Sequence, residues 1–439
     1  MRGVLIAAIV LAAFLGSAPS FAQTTGAPAT SASPAPSVTP SPTPTPVPPW
    51  SVSGFQDVTY TTSLVSNGTF LFTNGGSTRV FDAITGNNTK LPTYTRFVPN
   101  SFNINIKKNA PQGIGGQLEE TIGSDANVIA SYGGAAGTYT DVTQAYIFLA
   151  TGQFTINVGK FETLAGAEVI ESPSDWEISR SILFGYAVPF THTGVRAVWV
   201  PSGKISLTAG ANYGWDQLVS TNGLSTLEAA VAYNPSSYLA FNVNYYNGKE
   251  PSPLTPYPTG GTIAPRPGST AFYPSYPPAG ITGTIYGTRG LVDVVAKWTP
   301  SSALNFALNY DTAQQNNSQA FDSLGNTLVN PSTGFPTLQT VKWNGLAGYA
   351  NWNVNSHFTA SGRLEYLNDN NGNRTGFAQT WSEGTLTLQY VPGVANWKVR
   401  GELRQDWVNQ PTFARYTSPI GTAAKNNTSL GFEAIYSWP

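Results

Sequence analysis

The feature that most constrains this chain is a strict alternation of apolar and polar residues along many short segments. In one of them, residues 396–407, the two parities separate an apolar set (Trp397, Val399, Leu403 and Trp407) from a charged set (Lys398, Arg400, Glu402, Arg404 and Asp406). Successive side chains of a strand point to opposite faces of a sheet, so this segment has one apolar and one charged face. The same pattern recurs at residues 357–366 and 427–438. Charged faces of this kind do not fit the core of a β-sandwich.

Composition excludes other ways of hiding apolar residues. Only 10% of the residues are charged and 41% are hydrophobic, whereas soluble domains carry about a quarter of charged residues. A membrane-spanning helix needs about 20 consecutive apolar residues, and no apolar run beyond the N-terminal segment is that long. The chain has no Cys, which excludes a disulfide scaffold. Its net charge of −1 provides no basic surface, so no nucleic-acid partner is expected.

Apolar residues outside and polar residues inside are typical of a transmembrane antiparallel β-barrel, and the alternating segments predict an all-β barrel of about 16 strands. The predicted strands lie near residues 53–62, 99–108, 114–122, 142–150, 153–161, 190–200, 204–213, 226–234, 238–246, 287–298, 303–311, 340–352, 356–366, 382–391, 396–407 and 427–438. Short and long connections alternate between these strands. This alternation predicts short periplasmic turns and long extracellular loops.

Two segments precede the predicted barrel. Residues 1–22 combine Arg2, an apolar stretch and small residues before the cleavage position, as a secretory signal peptide does. Residues 23–50 are rich in Pro, Ser and Thr, which predicts a disordered periplasmic segment because such a composition builds no core. The barrel is expected to occupy residues 51–439.

Aromatic residues gather near the ends of the predicted strands. Amphipathic rings favour the boundary between lipid and water, so these residues predict two girdles and outer-membrane lipids around the barrel. The girdle candidates are Tyr60, Phe102, Phe161, Trp199, Tyr213, Tyr233, Tyr245, Trp298, Tyr310, Tyr366, Tyr390, Trp407 and Trp438.

One block of the sequence resembles a known family. The stretches 159–168 (GKFETLAGAE), 179–186 (SRSILFGY), 189–194 (PFTHTG) and 212–216 (NYGWD) are similar to the signature of the beta-barrel porin-2 or OmpL-like family. The resemblance extends loosely over about residues 54–438. It implies an integral outer-membrane channel of Gram-negative bacteria, inserted by the barrel assembly machinery, and the signal peptide predicts export by the Sec route.

Acidic and basic side chains on the predicted inner face of the barrel indicate a water-filled channel. Sixteen strands leave an aqueous channel, whereas eight-stranded barrels fill with side chains. A Lys or Arg facing the lipid midplane would cost about 2–4 kcal/mol, so these residues are expected to face water. We expect a porin for passive diffusion of small hydrophilic solutes, with no enzymatic activity and no cofactor or metal. The lumen-wall candidates are Arg196, Asp293, Lys297, Arg363, Glu365, Lys398, Arg400, Glu402, Arg404, Asp406 and Glu433.

The resemblance places a constriction in the third long loop, about residues 162–189, because this loop folds into the lumen of sixteen-stranded general porins. Its acidic residues, facing wall arginines such as Arg363, Arg400 and Arg404, would create a transverse field that selects solutes by charge. The same analogy implies a homotrimer. The constriction-loop candidates are Glu162, Glu168, Glu171, Asp175 and Arg180.

Two other functions stay open at the level of sequence. Aromatic residues such as Tyr146, Phe148 and Tyr246 would suit a sugar-specific channel, and the Pro-rich loop 247–286 would suit a closed barrel that acts as a surface receptor or adhesin. The string 368–373 favours a polar loop over a calcium site. Two histidines without any Cys, and no Gly-x-Ser-x-Gly motif, argue against a zinc site or a hydrolase.

Overall fold

The computed structural model describes residues 49–64, 66–70, 95–134, 138–251, 286–324, 328–332, 337–393, 396–415 and 423–439. The proposed signal peptide, nearly all of the Pro/Ser/Thr-rich segment and most of the Pro-rich loop 247–286 lie outside these residues. In the part of the chain that the structure describes, no helix is both long enough and apolar enough to span a membrane.

Sixteen antiparallel strands form a closed barrel, which confirms the predicted fold class and strand number. The barrel strands are β1 (Trp50–Ser63), β3 (Thr95–Lys108), β4 (Gly113–Ile122), β5 (Thr140–Thr151), β6 (Phe154–Glu162), β7 (Thr191–Ser202), β8 (Ile205–Asn212), β9 (Thr226–Ser236), β10 (Leu239–Pro251), β11 (Tyr286–Trp298), β12 (Leu304–Gln319), β13 (Leu338–Asn353), β14 (Phe358–Asp369), β15 (Gln379–Tyr390), β16 (Trp397–Val408) and β19 (Asn426–Trp438).

Three short strands and two short helices lie outside the barrel wall. The strands β2 (Ser66–Phe70), β17 (Phe413–Arg415) and β18 (Ala423–Ala424) form a separate sheet in the order β18-β17-β2. The helices are α1 (Ser124–Ile129) and α2 (Ile182–Tyr186). The sequence pattern did not predict these elements because they are too short to show a period.

The barrel closes where its first strand meets its last. Strand β1 pairs with β3 on one side and with β19 on the other, with Gly54 opposite Trp438. A Cβ atom at Gly54 would collide with the carbonyl oxygen of Asn103 and with the ring of Trp438. A glycine is therefore required at this point of the seam.

The two faces of the wall differ as the alternation predicts. In β16, Val399 and Leu403 are 44% and 46% exposed, whereas Arg404 is fully buried inside the barrel. The girdle assignment of Phe161 is wrong, because this ring has the parity of Asn157 and lies 2% exposed on the inner side. There the Arg196 guanidinium stacks 4.0 Å from its centroid.

The apolar outer face makes a prediction about stability. Leu386 lies near the middle of β15 and is 54% exposed toward the lipid side. Leu386→Arg is expected to lower the free energy of unfolding by about 2–4 kcal/mol, since lipid cannot solvate the charge. Urea unfolding in lipid vesicles measures this difference. Leu386→Ala is the matched control and should cost less; an equal cost in both variants would contradict a lipid-facing position.

Candidate functional site

Residues 163–190, here called the inner loop, connect β6 to β7 and fold into the barrel. Glu162, which the sequence pattern assigned to this loop, is the last residue of β6. Within the inner loop, helix α2 begins after Ser181, whose hydroxyl oxygen accepts the backbone N–H of Phe184 at 2.9 Å. Every residue of α2 is buried, so the loop has an interior of its own.

An apolar face of the inner loop packs against the barrel wall. Ile182, Leu183 and Phe184 are at most 2% exposed and belong to one cluster with Trp343 of β13. The Trp343 indole N–H donates to the carbonyl oxygen of Ala187 at 3.1 Å. The alternation pattern does not indicate this apolar face, although the apolar run at residues 182–190 within a predicted extracellular loop is a signal for it.

Three wall arginines hold the backbone of the inner loop. Arg363 donates to the carbonyl oxygen of Ser179 at 2.7 Å, and Arg404 donates to that of Arg180 at 2.8 Å. Arg400 donates to the carbonyl oxygen of Asp175 at 2.7 Å. The orphan carbonyls of the loop are thereby satisfied, and the buried guanidinium groups find acceptors.

Wall carboxylates hold the loop from the same side by accepting its N–H groups. Glu365 accepts the N–H of Ile182 at 2.6 Å and that of Leu183 at 2.9 Å. Glu402 accepts the N–H of Ile178 at 2.7 Å. The loop is therefore fixed by both donors and acceptors of β14 and β16.

This arrangement corrects the predicted transverse field. Arg363, Arg400 and Arg404 are at most 1% exposed and contact the inner loop directly, so they do not face its acids across water. Arg363 also forms an ion pair with Glu168 at 2.6 Å. Burial of a guanidinium is costly unless it is fully paired, which explains why the loop seats on these side chains.

The structure places all eleven lumen-wall candidates on the inner side. Lys297 and Lys398 also contact the inner loop, at the carbonyl oxygens of Ala167 (3.3 Å) and Pro173 (2.8 Å). The others pair within the wall. These wall contacts are Arg196 with Glu228, Asp293 with Asn244 and Asn309 (both 2.6 Å), Asp406 with Arg404 (2.9 Å) and Glu433 with Arg400 (3.1 Å).

Beside the inner loop lies a cavity of about 550 Å³, bounded by this loop and by residues of β1, β3–β6, β11–β13 and β19. We call it the acidic cavity. Six acidic side chains and one lysine, Lys297, line it. The six are Glu119, Glu162, Glu168, Glu171, Asp175 and Glu177.

Two of these carboxylates are neutralised by arginines: Glu168 by Arg363, and Asp175 by Arg180 at 2.7 Å. The other four take part in no ion pair among the described residues. In the inner loop, burial and then the nearby charge of Glu162 raise the pKa of Glu171 well above its ordinary value. Burial also raises the pKa of Glu177, although Arg363 acts in the opposite direction.

Amide side chains line the same cavity and were not among the predicted site residues. Asn103 donates to Glu119 at 2.8 Å, and Gln144 donates to Glu119 at 2.7 Å and to Glu162 at 3.2 Å. The inward position of Asn103 in β3 was the available signal. These donors orient the carboxylates but bring no positive charge.

Tyr246, considered as a sugar-stacking residue, and the string 368–373, considered as a calcium site, both make contacts that stabilise the fold. Tyr246 is 1% exposed, stacks on His192 with 4.8 Å between centroids, and its hydroxyl accepts the N–H of Leu164 at 3.0 Å. It therefore presents no free ring to a sugar. Asp369, in the string 368–373, accepts the backbone N–H of Thr375 at 2.8 Å and closes a turn.

The anchoring of the inner loop can be tested by proteolysis. In Glu365→Ala, two buried N–H groups lose their acceptor, at a cost of about 1–3 kcal/mol each. About 1.4 kcal/mol is a factor of ten, so trypsin should cleave after Arg180 about tenfold faster or more when cleavage follows loop opening.

Mass spectrometry of the folded, detergent-solubilised barrel identifies this cleavage. Glu120→Ala is the control, because Glu120 is exposed and lies in β4, away from the inner loop. Equal cleavage rates in both variants would contradict the anchoring role of Glu365.

Comparison with solved structures finds the same fold. In-vitro folded OmpT of Vibrio cholerae, in its trimer form, aligns with a TM-score of 0.51 and 12% identity over 89% of this chain and 99% of its own. The anion-selective porin from Comamonas acidovorans aligns with a TM-score of 0.50 and 10% identity over 89% and 99%. Pseudomonas putida OprB aligns with a TM-score of 0.51 and 10% identity over 89% and 94%.

No curated protein matches the sequence. A family model does match, over residues 72–438, and its description is "Putative beta-barrel porin-2, OmpL-like". This span includes the motif block at residues 159–216 and all barrel strands from β3 to β19. The chain therefore belongs to the beta-barrel porin-2, OmpL-like family and is an outer-membrane β-barrel channel protein.

Proposed function

We propose that this porin lets small hydrophilic solutes diffuse passively across the outer membrane through the acidic cavity, and that it favours cations. The observation that carries the proposal is the lining of that cavity, which contains four carboxyl groups without an ion pair among the described residues and one basic residue, Lys297. A narrow space lined by one sign of charge concentrates counter-ions and repels ions of the same sign.

The inner loop supports this function by dividing the lumen. On one side, the apolar face of the loop packs against the barrel wall. There the guanidinium groups of Arg363 and Arg404 donate hydrogen bonds to carbonyl oxygens of the loop. Glu119, Glu162 and Glu171 line the cavity beside the loop, where water and solutes have room. An asymmetric division of this kind gives the passage a net negative wall.

Within the passage, the five constriction candidates have different parts in the proposal. Glu162 and Glu171 provide the field, because no ion pair among the described residues neutralises them. Glu168 and Asp175 are tied to Arg363 and Arg180 and hold the loop in shape. Arg180 also donates to the carbonyl oxygen of Ile170 at 2.6 Å, so its role is to position the loop.

Further parts of the proposal concern the protein's route and assembly. Residues 1–22 direct Sec export, residues 23–50 form a periplasmic segment, and the barrel assembly machinery inserts the chain among outer-membrane lipids. The barrel forms a homotrimer, in line with the trimer form in which V. cholerae OmpT, a structure of similar fold, was solved. The channel carries no enzymatic activity and needs no cofactor.

The charge preference can be tested in a planar bilayer under a salt gradient. The wild-type protein is expected to give ohmic single-channel steps, and the sign of its reversal potential should show that K⁺ is more permeant than Cl⁻. The double variant Glu162→Gln/Glu171→Gln should move the reversal potential toward zero, because half of the unpaired carboxylates are removed.

Glu120→Gln, which removes a carboxylate from the exposed side of β4, is the control and should behave as wild type. Anion preference in the wild type would overturn the proposed selectivity. No conductance from correctly folded protein would overturn diffusion and favour the receptor or adhesin.

The same measurement at several pH values gives a further prediction. The raised pKa of Glu171 and of Glu177 means that these carboxyls take up protons at a higher pH than free glutamate. As pH falls, cation preference should therefore decline, beginning well above the ordinary titration range of glutamate near 4.3. A preference that stays constant down to that range would contradict their part in the passage.

A further inference from the structure

We propose that a cleft on the outer face of the barrel binds the phosphorylated sugar headgroup of lipopolysaccharide, the glycolipid of the outer leaflet. The cleft has a volume of about 530 Å³ and lies across β10–β13. We call it the outer cleft. The inference goes beyond the proposed function, because it concerns the lipid side of the wall and not the passage inside. The lining residues are Asn247, Thr288, Gly290, Gln314, Asn316, Thr340 and Lys342.

The register of the strands places the outer cleft on the lipid side of the wall. Four of its lining residues are paired in one row across β10–β13, in the order Asn247, Gly290, Gln314 and Lys342. Their chain neighbours Tyr246 (1% exposed) and Trp343 (fully buried) point into the barrel. Because successive residues of a strand face opposite sides of the sheet, the row lies on the outer face.

The outer cleft lies at the extracellular edge of the apolar band. The long connections after β10 and after β12 leave the wall beyond the cleft, and transmembrane barrels carry their long loops outside. On the same face, Tyr245 precedes Asn247 by two residues, and Tyr310 precedes Gln314 by four. Both rings are exposed, at 45% and 39%. Exposed tyrosines of this kind mark the boundary between lipid and water, so the cleft lies at the depth of the lipid headgroups.

The charge around the outer cleft is positive. Lys342 lines the cleft, and Lys249 lies directly opposite the lining residue Thr288. Both lysines are exposed, and neither takes part in an ion pair among the described residues. An anionic headgroup therefore meets attraction here and no carboxylate from these strands. The acidic residues of β10–β13 are all buried on the inner side, and they are Glu250, Asp293 and Asp311.

The remaining lining suits a sugar. The amides and hydroxyls of Asn247, Gln314 and Thr340 offer both donors and acceptors, which is what sugar hydroxyls require. Lipopolysaccharide presents its phosphates on a glucosamine disaccharide, so its headgroup uses both the charge and the neutral polar groups. A phospholipid headgroup supplies the phosphate without the disaccharide.

A glycine keeps the outer cleft open. The nearest atom to a Cβ built at Gly290 is the amide nitrogen of Asn247, at 3.3 Å, and no atom of β12 lies within 4 Å of it. A larger side chain at this position would therefore extend into the cleft. One edge is fixed by Asn316, whose Oδ1 accepts the backbone N–H of Thr288 at 2.6 Å.

The test is a titration of the refolded, detergent-solubilised protein with lipid A, the phosphorylated disaccharide anchor of lipopolysaccharide, followed by native mass spectrometry. Wild type is expected to bind one lipid A per chain, more tightly than it binds phosphatidylglycerol. Lys342→Gln should weaken lipid A binding about fivefold, the factor that one lysine near an anionic lipid surface contributes. Lys342→Arg keeps the charge and should bind as wild type does.

A second variant tests the shape of the outer cleft with every charge in place. Gly290→Leu fills the floor and should weaken lipid A binding at least as much as Lys342→Gln. The control is Lys204→Gln, which removes an exposed lysine from the short turn between β7 and β8 at the other end of the wall. This control should bind as wild type does. Heat-modifiable migration in gels verifies that each variant is folded.

Several outcomes overturn the proposal. Absence of one-to-one binding in the wild type would remove the site, and so would wild-type affinity in Lys342→Gln or in Gly290→Leu. Equal affinity for lipid A and phosphatidylglycerol would overturn the choice of headgroup. Unchanged lipid A binding together with lost self-association in Gly290→Leu would assign the outer cleft to a second copy of the chain.

Conductance of the same preparations separates this inference from the proposed function. Lys342→Gln should conduct as wild type does, because Lys342 lies outside the passage. Normal cation-preferring channels without lipid A binding would overturn the site alone. Lipid A binding without any channel would overturn the proposed function and leave the site standing.

Discussion

The seating of the inner loop on Arg363, Arg400 and Arg404 is the interaction on which the interior of this barrel depends. A loop inside a barrel must satisfy its backbone polar groups without a neighbouring strand, and the guanidinium groups provide donors in a fixed fork. Glu365 and Glu402 provide acceptors in return. The loop carbonyl oxygens pair with the buried guanidinium groups, which would be costly to bury unpaired, and the wall side chains pair with the backbone groups of the loop.

This seating has an electrostatic consequence. The wall arginines are paired with groups of the inner loop, so their positive charge contributes little to the electrostatic potential in the acidic cavity. Glu119 of β4 and Glu162 of β6 line the remaining cavity, supported by amides rather than by cations. The acidic lining of the remaining space thus derives from how the loop is attached, and not from the overall composition, which is nearly neutral.

The barrel can be predicted from the sequence because apolar and charged residues, such as Val399 and Arg400, alternate with the period of two of a β-strand. Sixteen strands, their order and the inward row of charges follow from local sequence and alternation. The site was less predictable, because burial of Arg404 depends on a loop more than 200 positions away in the chain. Alternation shows that a side chain faces inward, but it does not show whether water or another segment meets it there. The position of Phe161 has a simpler explanation: an aromatic residue near a strand end faces lipid only where its parity is outward, and Phe161 has the inward parity.

The seam at Gly54 and Trp438 bears on how the molecule is made. The first barrel strand acquires its second partner only when the last strand is present, so a wall missing its C-terminal end keeps two unpaired edges. Unpaired edges are not tolerated in a bilayer, and they invite pairing with other chains in water. The last strand must therefore be present before the sheet can close, and until then both edges need protection from pairing with other chains. Closure at this seam removes both edges at once and completes the hydrogen-bonded wall.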